Sequence, residues 1–178
     1  ISISLRSFGK SGLRPSWKSF DGLGVLIELI CVARRPPAWL SEARQEYARR
    51  LPRTFALEFV HINPARDALS ATQRRHEEGA RVLKRVASTS PLIALEVNAD
   101  HLSSTGLARK LDDFRGRCQR LAIVIGGADG LDEAVISRAV TSWSVSRLTL
   151  PHQLMQLLMA EQIYRAWTIL EGHPYHRA

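Results

Sequence analysis

From residue 25 onward the chain alternates between short apolar runs and spaced apolar stripes. Val25–Val32 (VLIELICV) is an apolar run rich in β-formers and predicts a buried strand. Pro36 and Pro37 end it and suit the opening of a helix. Across 39–51 the apolar residues Trp39, Leu40, Ala43, Tyr47 and Leu51 share one helical face, with Arg44, Arg49 and Arg50 directed elsewhere. Phe55–Ile62 reads as a second strand and 63–69 as a loop. A polar helix over 71–86 has Ala80, Leu83 and Ala87 as its expected inner face. Residues 91–97 predict a third strand, and Ser103 or Ser104 can cap a helix that ends near Arg115. Residues 121–125 (LAIVI) have no polar face, which places this fourth strand in the middle of a parallel sheet covered by helices. Asp132 caps a further helix with Val135, Ile136, Ala139 and Val140 as its stripe, and a fifth strand is expected over 147–150. Pro151 then opens a long helix that Gly172 ends. This alternation predicts an α/β domain with a mostly parallel sheet flanked by helices.

Composition narrows the class. The 178 residues suffice for one compact domain, expected over 25–178. Residues 1–24 carry serine, glycine and basic side chains with no acid before Asp21. They are expected to form a poorly ordered extension, although an organellar transit peptide has a similar composition. Cys31 and Cys118 are far apart and show no metal spacing, so both are expected as reduced thiols of a cytoplasmic protein that binds no metal. The most apolar long stretch, 148–170, is interrupted by His152, Gln153, Gln156, Glu161, Gln162 and Arg165, so no membrane span is expected. A net charge of +8, from 25 lysines and arginines against 17 acids, favours a polyanionic partner.

Three segments carry candidate chemistry. Gly126, Gly127 and Gly130 form a turn at the carboxyl end of the central strand, the edge where open α/β sheets bind ligands. The spacing is neither a dinucleotide fingerprint nor a P-loop, and a plain strand-to-helix turn would look the same. The last helix is apolar nearly all round, which a second subunit or a central place in the monomer would explain. The tail His173-Pro174-Tyr175-His176-Arg177 combines groups suited to stacking on a base and gripping a phosphate.

Taken together, certain segments are specific. Ile125-Gly126-Gly127-Ala128-Asp129-Gly130-Leu131, Trp143-Ser144, Leu148-Thr149-Leu150-Pro151-His152, Glu161-Gln162-Ile163-Tyr164-Arg165-Ala166-Trp167 and His173-Pro174-Tyr175-His176-Arg177 occur in this order. The chain resembles the RlmH family over about residues 25–177. These are pseudouridine N-3 methyltransferases of 23S ribosomal RNA in the large ribosomal subunit, and they belong to the SPOUT class. The resemblance implies a C-terminal trefoil knot, an obligate homodimer and S-adenosylmethionine as methyl donor. It implies a cofactor pocket of Leu95, Gly126, Gly127, Val145, Ser146, Arg147, Leu148, Thr149 and Leu150. The chain departs from the family in residues 1–24, which are extra, and at Arg34-Arg35, where relatives often have Gly-Lys.

On this reading the acceptor ring nitrogen must lose a proton, so a general base is expected. His176 and His173 are the candidates, with Tyr175 stacking on or hydrogen-bonding the base and Arg177 holding phosphate or carbonyl oxygens. Water is the alternative proton acceptor, and His152 is a weaker candidate that could only orient its loop. Arginines of the first and third helices are expected to hold the RNA. The rival readings are a SPOUT enzyme acting on another RNA, such as transfer RNA, and a basic RNA-binding module without cofactor.

Overall fold

The computed structural model describes residues 24–177, with side chains as far as Tyr175. The expectation for 1–24 therefore lies, Gly24 apart, outside the described residues. In chain order the elements are β1 (Val25–Val32), α1 (Ala38–Arg49), β2 (Phe55–Ile62), α2 (Ala71–Arg85) and β3 (Leu92–His101). There follow α3 (Ser104–Arg115), β4 (Arg120–Ile125), α4 (Glu133–Arg138), β5 (Thr141–Ser144), α5 (His152–Leu170) and a 3-10 turn (Pro174–Arg177).

The five strands form one sheet in the order β2-β1-β4-β3-β5, with every neighbouring pair parallel. The α/β class and the central place of β4 are as the sequence predicts. Successive side chains of a strand face opposite sides. Leu121, Ile123 and Ile125 therefore join Ile27, Leu29 and Cys31 in a core covered by α1, α3 and α5. Ala122 and Val124 join Ile30, Val32 and Leu92 in a second core under α2 and α4. Ser103 caps α3 by accepting from the Gly106 amide, and Asp132 caps α4 by accepting from the Ala134 amide. No helix among the described residues is long and apolar enough to cross a membrane.

Four details differ from the sequence reading. The fifth strand is Thr141–Ser144, and 147–150 is a loop. Trp143 decides this, because its side chain is 2% exposed in the core while Leu148 is 71% exposed. The inner face of α2 is Glu78, Gly79 and Val82, with Leu83 partly buried against the core as expected and Ala80 and Ala87 exposed. A carboxylate holds the buried position, accepting a hydrogen bond from the Ala65 amide at 2.9 Å, so apolar periodicity misplaced the face. Arg44 points inward and is 6% exposed. Finally, α5 lies between α1 and α3, which with the sheet cover Met159, Ala160, Ile163 and Ala166. Much of its all-round apolarity is thus satisfied within one chain, and Leu154 is the large residue of α5 left 46% exposed.

The centre of the sheet sets the stability. Ile123→Ala should lower the unfolding free energy by about 2–5 kcal/mol, whereas Leu148→Ala should change it by no more than about 0.5 kcal/mol, both read by urea unfolding.

Candidate active site

Because all strands run the same way, the second half of β3 and the segments after β4 and β5 lie at one edge of the sheet. Between them lies a cavity of about 470 Å³, within the range of about 300–1,000 Å³ usual for small-molecule sites. Its walls are Leu95 to Asn98 from β3, Ile125 to Ala128 with Gly130 and Leu131 from the glycine turn, and Trp143 to Ser146 with Leu148 to Leu150 around the end of β5. His152 and Met155 from the start of α5 close it. Of the expected cofactor residues, Leu95, Gly126, Gly127, Val145, Ser146, Leu148, Thr149 and Leu150 come together here. Arg147 does not line the cavity, and its side chain is exposed. Among the described residues no cluster of side chains could hold a metal ion.

The glycine turn is packed backbone to backbone. A Cβ on Gly126 would lie 2.7 Å from the Gly130 carbonyl carbon, and one on Gly127 would lie 2.6 Å from Glu78 Oε2. Gly130 itself has φ +88°, a conformation that favours glycine. From outside, α2 grips the same turn. Arg74 donates from Nε to Asp129 Oδ2 at 2.7 Å and from Nη2 to Oδ1 at 3.1 Å. That fork holds the Asp129 carboxyl below its usual range. Gly79 lets α2 approach so closely that a Cβ there would come within 2.5 Å of the Asp132 Cβ.

A serine joins the other walls. The buried Ser144 hydroxyl lies 3.0 Å from the Val97 carbonyl and 3.2 Å from the Ser146 carbonyl, which ties the second half of β3 to the loop after β5. Ser146 Oγ in turn accepts from the Leu148 amide at 2.9 Å. The lining is mostly apolar, with few ionisable groups. Glu96 supplies a carboxylate whose pKa burial raises, with nearby Glu133 adding to the effect. Trp143 Nε1 is buried and has no hydrogen-bond partner. Mostly apolar walls with one carboxylate suit a nucleoside that carries positive charge. Glu96, Trp143 and Ser144 were missed as site residues. Trp143-Ser144 stood in the sequence as a recognisable pair, but nothing local marks Glu96.

The tail lies elsewhere in the chain. The His173 amide donates to the Thr168 carbonyl at 2.8 Å, and His173 Nδ1 accepts from the Tyr175 amide at 3.2 Å. Tyr175 packs edge-on against Tyr164 at 4.8 Å, beneath the Arg165 guanidinium, with its hydroxyl 3.3 Å from Glu161. Burial first, then the neighbouring Tyr47 and Glu161, push the Tyr175 phenol up to about 12. Glu161 and Tyr164 lie six and nine residues beyond Met155, about 9 and 14 Å along the helix. The tail and the cavity are therefore not brought together within one chain. His176 and Arg177 end the 3-10 turn, and their side chains lie outside the described ones.

Residues 25–176 match the model of a family described as predicted SPOUT methyltransferase. The chain belongs to the SPOUT methyltransferases. Among curated proteins it is similar to the ribosomal RNA large subunit methyltransferase H of Saccharophagus degradans, 44% identical over 153 residues, covering 85% of this chain and 99% of the relative. The proteins of the same name from Alkalilimnicola ehrlichii and Chromohalobacter salexigens are 44% identical over 154 residues and 42% over 153, each again covering 85% of this chain and 99% of the relative. As a member of a methyltransferase family, this SPOUT protein needs a methyl donor, and the edge cavity is the place its geometry offers.

Gly126→Ala tests that geometry. The added methyl must displace the Gly130 backbone, which should cost about 1–3 kcal/mol of stability and weaken donor binding more than about tenfold. Calorimetric titration alongside urea unfolding would measure both.

Proposed function

We propose that this chain transfers a methyl group from S-adenosylmethionine to N-3 of a pseudouridine in 23S ribosomal RNA of the large ribosomal subunit, acting as a cytoplasmic homodimer. The observation that carries the reading is the edge cavity. A glycine corner and a Leu-Thr-Leu loop, distant in sequence, face one another across about 470 Å³ in a chain matched to the SPOUT methyltransferases. The domain beginning at residue 25, with the family's C-terminal trefoil knot, is part of the same reading.

When bound, the donor would supply a methyl group already activated by its sulfonium, so the chain's task is alignment. Leu95, Trp143, Leu150 and Met155 would flank the flat base, and backbone at Gly126 and Gly127 would allow close approach. Glu96 is placed to hold polar or charged parts of the donor. Arg147, exposed beside the cavity, is better suited to RNA than to the donor. His173 and His176 remain the candidates to accept the N-3 proton, with Tyr175 and Arg177 binding the target nucleotide. Since the tail rests on α5 away from its own cavity, a second subunit's tail would complete the site, and this supports the homodimer.

The RNA surface must lie around the cavity mouth. Arg44 is buried, and Arg50 and Arg115 are paired with Glu46 and Glu171 at the opposite sheet edge, which leaves Arg49 and Arg109, both exposed, of the helical arginines expected from sequence. Exposed arginines on the cavity edge are Arg35 after β1, Arg66 after β2, Arg147 after β5, and Arg34, whose pairing with Asp67 at 3.3 Å is solvent-exposed and weak. These are the proposed phosphate contacts.

Incubating the protein with ribosomes and labelled donor, then mapping methylated nucleotides by mass, should find one N-3-methylated pseudouridine in 23S RNA. Modification of transfer RNA alone would reject the substrate. His176→Ala should slow single-turnover methylation by about 10²–10⁴-fold if it is the base, and an unchanged rate would return that role to His173 or water. Removing Arg35 and Arg147 together should reduce the slope of log affinity against log salt by about 2, while removing Arg53 and Arg117 on the opposite edge should leave it unchanged.

A further inference from the structure

A file of buried polar side chains runs from the inner face of α1 to the cavity. Arg44, 6% exposed, donates from Nη1 to Gln156 Oε1 at 2.8 Å, and its guanidinium lies 4.4 Å above the Phe59 ring. No carboxylate faces it among the described residues. Gln156, 1% exposed, places Nε2 at 2.9 Å from His152 Nδ1. An arginine can only donate, so the amide oxygen of Gln156 must face Arg44 and its NH₂ must face the histidine. That NH₂ can only donate, so Nδ1 of His152 carries the lone pair and the ring proton sits on Nε2. This second nitrogen is buried and has no hydrogen-bond partner among the described residues, and the Gly126 backbone is close enough to the ring to favour its protonation.

A doubly protonated ring would oppose two N–H groups at Nδ1. The other charged or titratable groups around the file are Cys31 and His61, which also neighbour Arg44. Both ring nitrogens of His61 are buried without partners. Burial lowers the pKa of His152 against an opposing effect of the Gly126 backbone, and burial with the nearby Arg44 lowers that of His61. A buried arginine without a counter-ion is costly in a fold and calls for a reason to be kept.

We infer that Arg44 and Gln156 are positioning residues that lock His152 as the neutral tautomer protonated on Nε2, so that the ring supports the Gly126 backbone wall of the methyl-donor cavity and does not act as the general base. The inference rests on the donor-pocket reading above and assigns the polarity of one wall of that pocket. It also removes His152 from the candidate proton acceptors and leaves that role to the tail or to water.

Nitrogen NMR of the imidazoles in the full chain labelled with ¹⁵N-histidine tests the relay, with His152→Gln identifying the His152 signals. The wild type should show a neutral ring protonated on Nε2 from about pH 6 to 8. In Gln156→Glu the new carboxylate accepts from Nδ1, so the ring should change to the other tautomer or to imidazolium, and S-adenosylmethionine affinity by calorimetry should fall about five- to tenfold. Arg44→Met removes a buried cation and should leave the melting temperature unchanged or higher, yet weaken donor binding to a similar degree. A merely structural role predicts the opposite pairing. His152→Gln retains an N–H near Nε2 and should bind the donor within about threefold of wild type, whereas His152→Phe should not. A wild-type ring protonated on Nδ1, or a Gln156→Glu variant with unaltered tautomer and affinity, would overturn the relay. Failure of the wild type to bind S-adenosylmethionine would instead overturn the pocket reading and the donor role together, with the tautomer still deciding the relay.

Discussion

Backbone cannot approach backbone as closely as it does at Gly126, nor the Glu78 carboxylate approach Gly127, if either position carries a side chain. A Cβ at the first would overlap the Gly130 peptide, and one at the second would overlap the Glu78 carboxylate. The turn is therefore not a flexible link but a packed corner, pressed from outside by α2 through Arg74, Glu78 and Gly79. The cavity wall inherits its shape from that pressure. The loop after β5 has to meet a fixed surface, and the Ser144 hydroxyl, bridging Val97 and Ser146, joins it to the second half of β3. Preorganised walls of this kind are what alignment of two reactants requires.

Buried polar groups do much of the work of relating helices to sheet. Glu28, 3% exposed in the middle of β1, accepts from Arg85 at 2.8 Å and from Arg120 at 3.3 Å, which joins the end of α2 and the start of β4 to the core. Glu78 joins α2 to the loop after β2, and Arg44 joins α1 to α5. A pair of apolar side chains could supply as much stability. What polar pairs add is direction, because a donor and an acceptor meet in few orientations. Two of these links, Glu78 and Arg44 with Gln156, end at the cavity.

The legibility of the chain follows from this division. Strands β1 and β4 were readable because a strand covered on both faces must be apolar throughout, and no local alternative explains Leu121 to Ile125. The phase of α2 and the direction of Arg44 were misread for one reason. Periodicity assumes that buried means apolar, and at Glu78 and Arg44 the buried residue is charged. The fifth strand was placed over Leu-Thr-Leu because that segment has strand-like residues, whereas the edge of the sheet took Thr141–Ser144 and left the Leu-Thr-Leu segment to wall a cavity. Family resemblance indicated most of that wall through the order of its motifs. Glu96 and the Arg44 relay carried no local signal, since each gains meaning from groups on other elements: Glu96 from Ile125, Arg44 from Phe59 and Gln156.

By itself the sequence determined the α/β class, the central strand and the glycine turn, because these depend on periodicity and on backbone freedom, both written locally. It determined the basic character as well, as a simple sum of charges. Only the tertiary structure decided which segments share the cavity, which way Arg44 and Glu78 point, and that the tail stands apart from the cavity of its own chain. Those are outcomes of competition among distant groups for a limited set of buried positions and hydrogen-bond partners, and no window along the chain contains both competitors.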